Sequence, residues 1–313
     1  MSVSVNKLKE NRAIIVVYLI LFLLLVVSSF VTETFFTSRN ISNIFRQAVA
    51  IGLVSIGQTF VILTAGIDLS VGSVISLTSC LSAGLMLGRD SMLFPVVGLV
   101  IALALLAGFC NGLIIIKTGI SPLIVTLGTM SIIQGVVLVY THAAYGEVSP
   151  AFMFLAWGEI GSIPFSVFLL FAVGVLGVFV LRRTSFGRHI YAIGGNEEVA
   201  RLSGVKTERI KIYTYMICSF TAALTGLFLA SRMGMGDPLI GAPYMLDSLV
   251  PVLIGGTLLS GGKGGLIGTF AGIFILAVLS NSLNHLEISG YWQWIVEGLI
   301  ILGAVSFYEK RKI

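Results

Sequence analysis

The sequence predicts an all-α membrane protein with about ten transmembrane helices, from its composition and from the spacing of its apolar segments. Of its 313 residues, 57% are hydrophobic and only 11% are charged, whereas charged residues make up about 25% of a typical soluble domain. The mean hydropathy is +1.03. The apolar residues are gathered into stretches of roughly 20, the length that a helix needs to cross a bilayer. We therefore expect one transmembrane domain over residues 1–313.

The first apolar stretch, Ala13 to Val31, follows Lys7, Lys9 and Arg12. It is too long for the apolar region of a signal peptide and lacks a small-residue cleavage site. We interpret it as the first spanning helix, which starts from a cytoplasmic N-terminus. The other predicted spans are 44–64, 71–88, 93–116, 122–141, 164–181, 210–230, 245–259, 265–283 and 291–307. Ten spans return the C-terminus to the cytoplasmic side.

The distribution of basic residues agrees with this topology. Four of the 19 Lys and Arg residues would lie outside, and most of the others fall in short cytoplasmic segments, as the positive-inside rule requires. The four are Arg39, Arg46, Arg89 and Arg232. The formal net charge of +5 therefore reflects membrane orientation, and we expect membrane lipid but no nucleic acid as a partner.

The longest water-compatible run, Phe186 to Lys211, separates the sixth and seventh predicted spans. We call it the central polar segment. Asn196 can act as the N-cap of a short helix there, Glu197 and Glu198 suit the positive end of that helix, and Gly204 can end it in a left-handed turn. An ordinary solvated loop is the alternative, but such a loop rarely needs a capped helix, so we expect a soluble partner to bind this segment. Basic residues place it on the cytoplasmic side: Arg182, Arg183, Arg188, Arg201, Lys206, Arg209 and Lys211.

An internal similarity predicts two inverted five-helix halves, about 13–141 and about 164–307. Leu106–Leu113 in the fourth span resembles Leu276–Leu283 in the ninth. Because the two stretches are five spans apart, an odd number, the halves would have opposite orientations. Inverted repeats are typical of transporters whose substrate route lies between the halves. Chance similarity between Leu-rich and Gly-rich helices is the alternative.

The glycine-rich run Gly255 to Gly272 does not match a phosphate-binding loop. It contains a Gly-Lys pair, but it lacks the first glycine and the Ser or Thr that such a loop requires. We interpret it as a tight cytoplasmic turn followed by glycines that let a neighbouring helix approach closely: Gly264, Gly268 and Gly272. Paired-histidine and nucleophile-elbow motifs are also absent from the sequence. We therefore expect no catalytic residues, no metal site and no cofactor bound by this chain.

Three motifs in order carry a family resemblance: GIDLSVGS at 66–73, GRHIYAIGGNEEVARLSGV at 187–205 and GGTLLSGGKGGLIGTFAG at 255–272. From about residue 40 onward the chain resembles the permease subunit of ribose-type ABC sugar importers. The resemblance implies a ten-helix permease of the bacterial inner membrane that carries a pentose, a hexose or a related polyol or signalling sugar. It also implies an extracytoplasmic sugar-binding protein on one side and, on the other, cytoplasmic ATPase chains that hold ATP and Mg.

The same resemblance implies a role for the central polar segment. Residues 186–211 would form the cytoplasmic coupling segment of the permease. Its short helix would dock in a cleft of the ATPase and pass force to the membrane helices. The residues predicted to couple are Gly195, Asn196, Glu197, Glu198, Ala200, Arg201 and Gly204. Because the ATPases of this family work as a pair, two permease chains are expected, either as a homodimer or with a related permease.

A passing sugar needs hydrogen-bond partners but not tight binding, so the route should be lined by small, amide and hydroxyl side chains. The inverted repeat narrows the candidates to Gln58, Thr59, Asp68, Ser70, Asp237, Asn281, Asn284 and Glu297. Hydrogen bonding between helices, or capping of the third helix by Asp68, is the alternative for these residues. An ion-coupled secondary transporter without an ATPase, in which Glu297 serves as a proton site, is the alternative function.

Overall fold

The computed structural model describes residues 2–31 and 34–293, together with residues 295, 298 and 299. Nearly all regular structure in these residues is helical, which confirms the predicted class; the exception is a hairpin of two-residue strands, β1 (Glu159–Ile160) and β2 (Ile163–Pro164). The helices are α1 (Ser2–Val31), α2 (Ser38–Leu63), α3 (Val71–Met86), α4 (Leu93–Thr118), α5 (Pro122–Tyr140), α6 (Phe154–Trp157), α7 (Phe165–Arg183), α8 (Ser185–Gly195), α9 (Glu197–Leu202), α10 (Thr207–Met233), α11 (Tyr244–Asp247), α12 (Val250–Ile254) and α13 (Leu266–His285).

Six helical stretches in the described part of the chain are long and apolar enough to cross a membrane. They are Ser38–Leu63, Asp90–Thr118, Pro122–Tyr140, Phe165–Arg183, Thr207–Met233 and Leu266–His285. These stretches agree with six of the predicted spans and indicate an integral membrane protein with several passes. Ten passes and two inverted halves remain predictions.

The predicted eighth span, 245–259, is wrong as a continuous helix. α11 has four residues and α12 has five, against about 20 for a helix that crosses the bilayer. Pro251 lies in the first turn of α12, where its missing N–H is tolerated. Gly256, with φ +85°, follows the end of α12. The tenth predicted span, 291–307, lies largely outside the described residues.

The packing core lies around α2 and α10. α2 contacts α7, α10 and α13, and α10 also packs against α3 and α4. Gly57 allows a close approach of α2 to α10, because a Cβ at this position would lie 2.7 Å from Cys218 Cα. Small residues at helix contacts are the usual means of close packing in membranes. α5 and α7 instead expose large apolar side chains, Val139 and Leu176 among them, which suits a surface that faces lipid.

The glycines of α13 behave as the sequence predicts at two of three positions. Gly268 packs directly on the carbonyl oxygen of Gly255, and Gly272 packs on that of Pro251. Gly264 does not belong to this helical face, because it precedes α13 and has φ +108°. The run therefore combines a turn of glycines in unusual conformations with a helix that lies close against α12.

Candidate functional site

The central polar segment forms two helices, α8 and α9, joined at Asn196. The Asn196 side-chain oxygen accepts a hydrogen bond from the Val199 backbone N–H (3.0 Å), which confirms the predicted N-cap. Gly204 has φ +84°, the left-handed conformation predicted for it. Gly195 is different, because it ends α8 without a positive φ. The turn into α9 therefore does not require a glycine at position 195.

α9 presents an apolar surface. Val199 is 58% exposed and Leu202 is 79% exposed, whereas Ala200 is buried. One ion pair connects α9 to α10: the Lys211 ammonium lies 2.9 Å from a Glu197 carboxylate oxygen. Arg201 pairs with Glu198 within α9 itself. The hydrogen bond to Glu198 raises the pKa of the Arg201 guanidinium. The helix is thus fixed at its base and leaves two apolar side chains free for a partner.

α8 is packed into a junction with two other elements. The Gly262 N–H donates to the carbonyl oxygen of Leu63 at the end of α2 (3.0 Å), and Gly194 of α8 lies directly against both groups. The Tyr191 hydroxyl donates to the Gly264 carbonyl oxygen (3.0 Å). Gly262 has φ +71°, which few other residues tolerate. Close backbone contacts therefore connect α8 to the end of α2 and to the glycine turn.

The break between α2 and α3 contains a buried polar cluster. An Asp68 carboxylate oxygen accepts hydrogen bonds from the Ser70 backbone N–H (2.9 Å) and the Ser70 hydroxyl (2.6 Å). The Asn111 amide of α4 donates to the same hydroxyl (2.9 Å). Asp68 thus binds the amide just before α3, close to the capping role that the sequence suggests. The second Asp68 oxygen and the Asn111 amide oxygen are buried without a hydrogen-bond partner among the described residues.

Gln58 holds the backbone of this break in place. Its side-chain nitrogen donates to the Asp68 carbonyl oxygen (3.3 Å), and its side-chain oxygen accepts from the Asp68 N–H (3.2 Å). The Cys218 Sγ lies 3.2 Å from the same amide group. The cluster therefore joins α2, α4 and α10. Sequence reasoning did not select Asn111 or Cys218; the signal for Asn111 was its place in the internal repeat, where it aligns with Asn281.

The structure brings together only three of the eight predicted route residues, namely Gln58, Asp68 and Ser70. Asn281 instead forms an amide pair with Asn40 at the opposite end of α2 (2.9 and 3.2 Å). Asn40 and Gln58 are 18 positions apart on that helix, or about 27 Å at the α-helical rise. Three others have separate contacts: Thr59 with Thr269 (3.1 Å), Asp237 with the Leu239 N–H (2.8 Å), and Asn284 with Gln293 (2.9 Å). Glu297 lies outside the described residues.

In the described part of the chain, no three His, Cys, Asp or Glu side chains come close enough together to hold a metal ion. The polar cluster offers hydroxyl, amide and carboxylate groups. Such a set can exchange hydrogen bonds with a neutral polar molecule or steady a broken helix.

Comparison with known proteins gives the family and its relatives. The family described as branched-chain amino acid transport system / permease component matches residues 40–305. The chain is 39% identical over 303 residues to the ribose import permease protein of Bacillus subtilis, covering 94% of this chain and 92% of that protein. It is 37% identical over 293 residues to the ribose import permease protein of Haemophilus influenzae (92% and 90%). It is 36% identical over 277 residues to the D-allose transport system permease protein of Escherichia coli (88% and 84%). No solved structure shows a significant match.

Proposed function

The chain belongs to the family of permease components of branched-chain amino acid transport systems, and we propose that it is the transmembrane permease of an ATP-driven importer for a small sugar. The observation that carries this proposal is its similarity, over more than nine-tenths of its length, to proteins named as ribose import permeases. These matches confirm the resemblance carried by the three motifs. The setting that we propose is the bacterial inner membrane, with both termini in the cytoplasm.

The named relatives support a sugar rather than an amino acid as the substrate. They are named for ribose, D-allose, galactose and xylose. A pentose or hexose is therefore the proposed substrate class.

The proposed partners follow from the importer architecture. A cytoplasmic ATPase subunit, which holds ATP and Mg, binds α9 through Val199 and Leu202, with the charged residues of the segment around them. An extracytoplasmic sugar-binding protein docks on the opposite face. A pair of ATPases needs two permease chains. We therefore propose a homodimer with the route on the two-fold axis. The alternative is that a related permease provides the second chain.

Reconstitution into proteoliposomes tests this function. We expect uptake of labelled ribose, allose, galactose or xylose only when the ATPase, the binding protein and ATP are all present, and we expect the mass of the detergent-extracted complex to fit two permease chains. Uptake driven by a proton or sodium gradient without the ATPase would show an ion-coupled transporter. Absence of uptake under every condition would indicate a structural or sensory protein, and one permease chain per complex would contradict the dimer.

The contact between α9 and the ATPase gives a second prediction. Leu202→Asp places a charge on the exposed apolar surface, where burial of an unpaired carboxylate is costly. We expect the affinity of the ATPase subunit for the permease in nanodiscs to fall at least about tenfold, or roughly 1.4 kcal/mol. Leu286→Asp is the control, since Leu286 is also an exposed leucine (51%) but follows α13 at its far end. Equal binding by both variants would remove α9 from the interface.

A further inference from the structure

An apolar groove runs along the outer surface of α10, where α4 and α8 meet that helix. It has a volume of about 410 Å³, and its exposed wall is wholly apolar. Its lining residues are Leu105, Phe186, Tyr213, Met216, Ile217 and Phe220. The four α10 residues follow a spacing of three and four, so they form one stripe on that helix. α4 and α10 are both long enough to span the membrane, so an apolar groove on their outer side is suited to face the hydrocarbon of the bilayer.

One end of the stripe is positively charged. Arg209 lies one turn before Tyr213, on the same face of α10. Lys117 lies at the same end, because α4 and α10 pack side by side in opposite directions. Cβ atoms built at Gly108 and Gly112 would approach the Cα atoms of Met216 (2.8 Å) and Ile212 (2.7 Å), respectively. Arg209, Lys117 and the neighbouring Lys206 are exposed. Two carboxylates lie at this end, those of Glu208 and Glu197, and Glu197 is paired with Lys211, so the net charge here is positive.

The length of the stripe fits one leaflet. From Arg209 to Phe220 the helix rises about 16 Å, close to half of the roughly 30 Å hydrocarbon core. Tyr213 is half-exposed at the charged end, and its ring packs edge-on to Phe186 with 6.3 Å between centroids. Tyrosine is enriched where the hydrocarbon meets the headgroups. The charged end is thus at headgroup level, and the apolar part of the groove extends to the middle of the bilayer.

We propose that this groove binds an anionic phospholipid from the leaflet next to the central polar segment. One acyl chain lies along Tyr213, Ile217 and Phe220, and the phosphate lies between Arg209 and Lys117. Basic residues at the end of an apolar groove are the chemistry that selects an anionic headgroup over a zwitterionic one. Since Phe186 belongs to α8, the lipid also contacts the element that carries the coupling helix.

Native mass spectrometry of the purified chain tests this site with two lipids of identical acyl chains, phosphatidylglycerol and phosphatidylcholine. We expect the first phosphatidylglycerol molecule to bind more tightly than phosphatidylcholine. In the double variant Lys117→Gln/Arg209→Gln, its affinity should fall about fivefold for each charge removed. The matched control is Arg182→Gln/Arg183→Gln, which removes two exposed charges from the cytoplasmic end of α7. An equal loss in the control would show a general surface potential and overturn the site.

A second variant tests the apolar part of the groove without changing charge. Ile217→Trp fills the groove, and we expect it to reduce the number of tightly bound phosphatidylglycerol molecules by one. Thermal unfolding in detergent reports whether the Ile217→Trp variant is folded. If it is not folded, the charge variants described above still test the lipid site. Lack of preference for phosphatidylglycerol in the unaltered chain would contradict the proposal. A change in the mass of the permease complex, with unchanged lipid binding, would show that protein covers the groove.

Discussion

Gly194→Ala is expected to reduce sugar uptake about tenfold while the chain still inserts into the membrane. A Cβ at this position would collide with the Leu63 carbonyl oxygen and the Gly262 backbone nitrogen. These two groups are hydrogen-bonded to each other (3.0 Å), so neither can yield without breaking that bond. Overpacking typically costs about 1–3 kcal/mol, and about 1.4 kcal/mol corresponds to a factor of ten. The variant therefore forces α8 away from the end of α2 and from the glycine turn.

The adjacent glycine supplies the control for this prediction. Gly195→Ala adds the same methyl group one position later, where a Cβ would have no atom within 4 Å and φ is not positive. The measurement is sugar uptake and ATPase rate in the same proteoliposomes. We expect Gly195→Ala to match the unaltered chain and Gly194→Ala to hydrolyse ATP without matching uptake. Equal uptake by the two variants would show that the junction does not transmit force.

The contrast between these glycines marks what the sequence was able to predict. The cap at Asn196 and the left-handed Gly204 depend on residues close together in the chain, and both were predicted correctly. The junction at Gly194 depends on contacts with Leu63 and Gly262, which are distant in sequence. Local rules treat Gly194 and Gly195 as equivalent. Only tertiary packing shows that Gly194 has no space for a side chain, whereas Gly195 has.

The membrane spans show the same limit. Long apolar segments predicted α2, α4, α5, α7, α10 and α13 well, because hydrophobic length alone is sufficient there. The predicted span at 245–259 is also rich in apolar residues, but it forms two short helices, since α11 ends at Asp247 and Gly255 and Gly256 follow the end of α12. Composition averaged over a segment does not detect such breaks. They need to be read residue by residue.

The candidate route was the least predictable part. The internal repeat selected polar residues in equivalent segments, but it carries no information about which ones meet in space. Gln58 and Asp68 form one cluster, whereas Asn281 pairs with Asn40 at the far end of α2. Amide pairs between helices are a common means of satisfying buried polar groups in a membrane. A polar side chain in an apolar helix therefore predicts a partner, and the structure is needed to identify it. The lining of the route remains a prediction.

Asp68 gives the other large expected effect. Asp68→Ala removes the acceptor for both the Ser70 N–H and the Ser70 hydroxyl, which are bound at 2.9 and 2.6 Å in a fully buried site. Leaving a buried donor unsatisfied costs about 1–3 kcal/mol for each group. We expect the free energy of unfolding to fall on the order of 3 kcal/mol. Thermal unfolding of the purified permease in detergent measures the change, and uptake should fall with it.

Asp68→Asn distinguishes a structural role of Asp68 from a role of its charge in the route. The asparagine oxygen accepts the same two hydrogen bonds, and the removed charge has no ion-pair partner among the described residues. If Asp68 acts by holding the break between α2 and α3, the asparagine variant should be clearly more stable than the alanine variant and should keep most of the sugar uptake. We expect the structural role, because Gln58 binds the Asp68 backbone and Ser70 binds the Asp68 carboxylate. A variant that is as stable as the unaltered chain but takes up sugar at least tenfold more slowly would contradict it, because the carboxylate itself would then be needed during passage of the sugar.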